Sequence, residues 1–269
     1  MGRIVGVFGT AHIVMSPQGV EEKARDVFDG MVEVGRRVRD TKPTLLVVIT
    51  GDHMFNINQD YQIPICVGVA DEWTPQGDLN TGTKVFPGHR RLAEAFVEMA
   101  AERGFDLAKS EALRPDHGVS LPLRFIAPRN DIPVVPILLN INMAPLPKPS
   151  RCYALGAVLK ETIESALPAD ERVAVIGTGG ISHWLFIPRM GEVNAEFDRD
   201  FLRKMAEGRA EELSRMSAAE IVEAAGNGGM EIVAWLMAAA TMPKAKGKEI
   251  YYVPVEKWGC GMGGLAIVP

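Results

Sequence analysis

The stretch RIVGVFGTAH, residues 3–12, decides how this chain reads. Its first part, RIVGVFG (3–9), is apolar and β-branched in the manner of a strand buried on both faces. It leaves through a glycine and then presents His12, a polar side chain at the mouth of a strand. Comparable runs recur at TLLVVIT (44–50), IPICVGVA (63–70), IPVVPILLN (132–140), RVAVIGT (172–178) and YYVPV (251–255). Between them lie segments of helical period. In VEEKARDVFDGMVEVGRRV (20–38), Val20, Ala24, Val27, Phe28, Met31 and Val38 recur at steps of about three and four residues, which gathers them on one buried face. Further helices are predicted over 88–103, 151–166, 195–214 and 229–241. Strands alternating with helices predict an α/β protein, a single domain over 1–269 with a central, mostly parallel or mixed sheet flanked by helices. Its active site is then expected at the C-terminal ends of the strands.

The proline-rich INMAPLPKPS (141–150) is read as neither helix nor central strand, because each proline removes a backbone donor. It is a domain linker or a rigid loop, and the apolar pattern that resumes at once favours the loop.

Composition narrows the function classes. The chain has 269 residues, 47% hydrophobic and 23% charged, the balance of an ordinary globular protein. A formal charge of -5 argues against a sequence-independent nucleic-acid binder, which needs an excess of Lys and Arg on one face. The N-terminus has one basic residue and an apolar run broken by glycines, a poor signal peptide, and no run of eighteen apolar residues suggests a membrane span. A cytoplasmic protein acting on a small molecule is the expectation. Cys66, Cys152 and Cys260 are far apart and form no CxxC pair, so they read as reduced and structural.

Only five histidines occur, and three of them follow an apolar run closely: GVFGTAH (His12), VVITGDH (His53) and VAVIGTGGISH (His183). A lone histidine in that position is commonly a hydrogen-bonded loop residue. Three in equivalent positions point to one shared site at the sheet edge. Two neutral imidazoles and one carboxylate leave three adjacent positions open on an octahedral ion, which suits non-haem Fe(II) oxygen chemistry. Glu231, in GNGGMEIVAW (226–235), opens an apolar helix and is either that carboxylate or a first-turn acid favoured by the helix dipole. The GTGG loop (177–180) has a rival use as a phosphate cradle, but it lacks both the GxGxxG spacing and the lysine of a P-loop.

The blocks GTAHIVMSP, VVITGDHMFNINQDYQIPICVGVADEW, RPDHGVSLPL, INMAPLPKPSRCYALG, GTGGISHWLFIPRMGEVNAEFDRDF and GGMEIVAWLM run in one order along nearly the whole chain. In these residues the sequence resembles the class III extradiol ring-cleavage dioxygenases, the family of the catalytic beta subunit of protocatechuate 4,5-dioxygenase. The resemblance implies Fe(II) held by His12, His53 and Glu231, with His183 as acid/base and His117 (DHGVSLP) bonding the bound substrate. It gives His89 (FPGHRR) a capping or packing role, and Asp52 is a candidate for orienting one imidazole. The implied reaction is meta cleavage of a catechol-like aromatic with both atoms of O2 inserted. A hydroxypyridone or aminophenol substrate, or a metal-dependent non-oxygenase reaction on the same fold, remains an alternative. Relatives that bind carboxylated catechols place a small hydroxyl residue before the last strand. Gly259 and Cys260 stand there in EKWGCGMGG (256–264), with Lys257 or Arg189 as substitute cations. The resemblance also implies a covering partner at the site, either a small helical subunit or a second copy in a homo-oligomer.

Overall fold

The structure, a computed structural model, describes residues 1–269. Strand β1 (Arg3–Thr10) leads to helix α1 (Glu21–Asp40), then β2 (Leu45–Gly51), β3 (Ile65–Gly68) and a small ribbon of β4 (Glu72–Trp73) with β5 (Phe86–Pro87). Helix α2 (Arg90–Glu102), β6 (Ala108–Ser110), α3 (His117–Ile126), β7 (Val134–Leu139), α4 (Pro149–Ala166) and β8 (Arg172–Thr178) follow. Helices α5 (Ala195–Ala206), α6 (Ala210–Leu213) and α7 (Ala218–Ala225) precede a 3-10 turn, Gly228–Glu231, which runs straight into α8 (Ile232–Ala239). The hairpin β9 (Lys248–Val255) and β10 (Cys260–Ile267) completes the sheet.

Eight strands form one sheet in the order β6-β3-β7-β2-β8-β1-β10-β9. The central four, β7, β2, β8 and β1, are parallel. On either side, β3 and β10 run antiparallel to β7 and β1, so the sheet is mixed at its flanks as the sequence predicts. Strand β2, LLVVITG, is buried at every position, as expected where both faces carry helices. One apolar layer, of 43 buried residues, lies under α2, α4, α5, α7 and α8; the other, of 31, lies under α1 and α3. The site is therefore flanked by packed core on both faces and opens only at the strand ends.

Every residue of α8 is buried. It reaches the sheet because Gly9 and Gly177 have no side chains. A Cβ at Gly9 would stand 2.1 Å from the Trp235 ring, and one at Gly177 would stand 2.6 Å from the Trp235 Cα.

Several elements depart from the sequence reading. The predicted helix over 195–214 is two helices, broken at Gly208, whose φ of +76° ends α5. Helix α4 starts inside the proline-rich stretch, with Pro149 in the first turn, where no backbone donor is needed. Helices α3 and α7 have no counterpart in the sequence pattern, α3 carrying Pro122, and strand β10 has none beyond the last strand that the resemblance implies, because CGMGGLAI is rich in glycine. No helix is long and apolar enough to cross a membrane.

Candidate metal centre

Parallel pairing puts the exits of β1, β2 and β8 side by side, with Thr10 opposite Thr178 and Ile49 opposite Gly177. His12 and His53 each come two residues past their strands, and His183 comes five past β8. Glu231 arrives from the facing side, on the last residue of the 3-10 turn before α8. The seating of Trp235 on Gly9 and Gly177 fixes how close that turn comes. The four side chains that the strand-end argument and the resemblance single out thus meet at one point, and His117, the first residue of α3, joins them.

Glu231 is 2% exposed. Its Oε1 lies 3.3 Å from His12 Nε2 and 3.3 Å from His53 Nε2. Its Oε2 accepts a hydrogen bond from Gly180 N at 2.5 Å and lies 3.6 Å from His183 Nε2. Gly179, at φ +151°, makes room: a Cβ there would stand 2.5 Å from the Glu231 Cβ. Gly228 does the same for His183, whose ring a Cβ would meet at 2.2 Å. The glycines of GTGG and GNGG thus serve close packing around the carboxylate.

His53 is held by Asp116, whose Oδ2 accepts from the His53 backbone N–H and pairs with His53 Nδ1, both at 3.0 Å. Asp116 also caps α3 through Gly118 N at 2.8 Å. The imidazole-orienting role considered for Asp52 falls instead to Asp116. The Asp52 carboxylate is occupied by Asn56 and the Ile57 backbone N–H, and so shapes the loop after His53. His12 Nδ1 lies 3.5 Å from Thr50 Oγ1, and His117 Nδ1 pairs with Asp78. His89 caps α2, accepting from Leu92 N at 3.1 Å, as expected. Neither candidate cation reaches the centre: Arg189 is exposed and paired with Glu192, and Lys257 bonds the Gln18 carbonyl. All three cysteines are free and buried.

The charges at this centre are strongly coupled. Burial opposes ionisation of Glu231, yet His12 and His183 outweigh it and hold its pKa well below the usual range. Burial likewise opposes the charge on His53, but Asp116 and Glu231 hold that ring's pKa up at about 10. Burial pushes His117 the other way, to about 4, with repulsion from His53 and His12 adding to it. A buried carboxylate in this position requires a positive partner.

A metal ion fits that requirement. Two donors each about 2.1 Å from one ion and at right angles lie about 3 Å apart, close to the 3.3 Å between Glu231 Oε1 and either Nε2. The imidazole nitrogens of His12, His53 and His117 lie within 4.8 Å of one another. The centre can therefore hold one ion.

Asp116 and Asp78 were not singled out from the sequence. Asp116 had a usable signal, an N-cap aspartate ahead of GVSLPL. Asp78 lies in an irregular loop and had none.

Fold and site together define an α/β protein whose polar centre is built for a single metal ion at the ends of parallel strands. The chain belongs to the family of the catalytic LigB subunit of aromatic ring-opening dioxygenases, whose family model matches residues 8–263. It is 25% identical to a 2,3-dihydroxyphenylpropionate/2,3-dihydroxicinnamic acid 1,2-dioxygenase of Photorhabdus laumondii subsp. laumondii, over 94% of this chain and 92% of the relative. The enzyme of the same name from Klebsiella pneumoniae is 26% identical over 91% of this chain and 92% of its own. An uncharacterized protein of Escherichia coli K12 shares the fold, with a TM-score of 0.61 and 14% identity over 98% of this chain and 99% of its own. The protein is a ring-cleaving dioxygenase of the extradiol type acting on a catechol-like aromatic.

Proposed function

We propose that this chain forms one catalytic domain that binds Fe(II) through His12, His53 and Glu231 and opens a catechol carrying a short side chain. The observation that carries the ligand set is the single oxygen Glu231 Oε1 standing 3.3 Å from both imidazoles. His117 is the other candidate third donor, but a centre of three neutral imidazoles would leave the buried Glu231 carboxylate, 3.3 Å from both His12 and His53, outside the ligand set. The names of the relatives favour a side-chain-bearing catechol over a hydroxypyridone or an aminophenol. When bound, the ion supplies open coordination positions at which two adjacent ring oxygens and O2 meet.

The remaining work falls to this chain's residues. His183 is buried beside Glu231, and its Nδ1 has no partner. It takes a proton from a ring hydroxyl and returns one later, a task suited to an imidazole because it serves as acid or base near neutral pH. His117 stands 4.0 Å from His53, ring centre to ring centre, and holds a substrate oxygen. Asp116 keeps His53 in one tautomer, with Nε2 turned to the centre. The burial of His12, His117, His183 and Glu231 excludes bulk water.

Each histidine-bearing loop ends in exposed apolar side chains: Val14 and Met15 after His12, Met54 and Phe55 after His53, Phe186 and Ile187 after His183. This rim supports a covering partner, either a second copy or a small helical subunit.

The test is anaerobic loading with Fe(II), followed by O2 uptake on adding a panel of catechols, 2,3-dihydroxyphenylpropionate among them. The expected result is one O2 consumed per yellow ring-opened product. O2-independent hydrolysis of a substrate, with no uptake on the panel, would overturn the reading.

A further inference from the structure

Asp78 has no place in the chemistry described so far, yet its carboxylate sits against the catalytic centre. Its Oδ2 contacts His117 Nδ1, and its Oδ1 is buried with no partner. The two side chains are only 13% and 10% exposed. The loop that delivers it is unusual. Gly77 lies at φ +82°, Leu79 at +45° and Asn80 at +57°, so two consecutive side-chain-bearing residues occupy the left-handed region. Such backbone persists where its surroundings hold it, and it collects at functional sites. Burial of Leu79 is not what holds this loop, because that side chain is 57% exposed. What holds it is its contact with the start of α3, where Gln76 N donates to the Pro115 carbonyl at 2.8 Å and Asp78 reaches His117.

We propose that Asp78 is a positioning residue that fixes the tautomer of His117. A carboxylate accepts and does not donate, so the proton of a neutral His117 ring must sit on Nδ1. Nε2 is then left as an acceptor for a substrate hydroxyl. The loop geometry places the carboxylate there before any substrate arrives. Only the identity of the group that meets Nε2 rests on the ring-cleavage reading; the tautomer does not.

The test compares Asp78→Ala and Asp78→Asn in the full-length, zinc-loaded protein by 15N–1H long-range spectra of the imidazoles, and in the iron-loaded protein by steady-state kinetics. In the unmodified protein His117 is expected as the Nδ1–H form. D78A is expected to move it to the Nε2–H form, with metal content and melting temperature retained. Its kcat is expected to fall about 10- to 100-fold, the usual cost of losing a carboxylate that orients an imidazole. D78N keeps an oxygen acceptor at Nδ1–H and is expected to recover the tautomer and most of kcat. An unchanged tautomer in D78A, or a changed tautomer with unchanged kcat, overturns the proposal. If D78A does not fold, an Nε2–H ring in the unmodified protein overturns it equally. Should the unmodified protein open no ring while the tautomer still follows residue 78, the ring-cleavage reading fails and the positioning role stands.

Discussion

His183 and Glu231 touch the same point of the molecule, and their substitutions are expected to part company. Glu231 is the carboxylate on which two imidazoles converge, so Glu231→Ala removes a donor and leaves His12 and His53 facing an empty corner. Bound metal should be lost, and activity with it. His183 approaches the other carboxylate oxygen at 3.6 Å and leaves the two-imidazole corner intact. His183→Gln should therefore keep its iron while turnover falls about 100- to 10,000-fold, the range for removing a general acid/base. Metal analysis beside O2 uptake checks both; iron loss in H183Q, or an iron-replete active E231A, would sink the assignments. The convergence of His12, His53 and His183 was legible because each follows a strand within two to five residues, and strand ends are where parallel sheets gather ligands, whereas Glu231 was pointed to only by the family resemblance. The supporting carboxylates were not legible. Asp116 meets His53 across sixty-three positions of chain, a contact fixed by the docking of α3 and not by any local pattern.

At the scale of elements, α8 controls the centre. It has no polar face, and its approach to the sheet is set by two glycines in neighbouring strands. Gly177→Ala would place a methyl group 2.6 Å from the Trp235 Cα and 2.8 Å from the Ala234 carbonyl oxygen, so backbone must move. Overpacking of this kind costs about 1–3 kcal/mol, to be read as a lower urea midpoint. Because Glu231 rides on the start of α8, weaker metal binding should accompany it. A variant that melts normally and binds metal normally would show that the glycine is not needed for this approach. Elements with a clean period, such as α1 and β2, could be read directly from the sequence. Strand β10 and helix α3 could not, because Gly261, Gly263, Gly264 and Pro122 are poor formers of the elements that the tertiary fold imposes on them.

The whole molecule is tied together behind the site by Asp198 of α5, fully buried, which accepts from Ser182 Oγ at 2.9 Å and Tyr252 OH at 2.7 Å. These bonds join α5, the loop carrying His183 and the C-terminal hairpin. Burial raises the Asp198 pKa to about 6 from 3.8, against the opposing pull of Tyr252 and Ser182. The fold therefore holds a proton that the unfolded chain gives up between those values. Stability from this group is fully present below the unfolded pKa and is lost as pH rises through about 6. Asp198→Asn removes the dependence, so relative to it the unmodified protein should lose about 3 kcal/mol between pH 3.8 and pH 7. Urea unfolding of both proteins across that window checks this, and parallel stability curves would refute it. The α/β class and the central sheet were legible from alternation alone, whereas this long-range knot was not: Ser182 and Asp198 stand in one block with nothing in it to show that they pair, and Tyr252 lies outside it.

The order of the strands in the sheet also differs from their order in the chain. During synthesis, His12 leaves the ribosome more than two hundred residues before Glu231, and β10, which pairs with β1, comes later still. No nascent fragment ending before Glu231 contains both imidazoles and their carboxylate. The polar groups of the pocket are thus brought together only late in synthesis, once the segment carrying Glu231 has emerged and docked on the sheet.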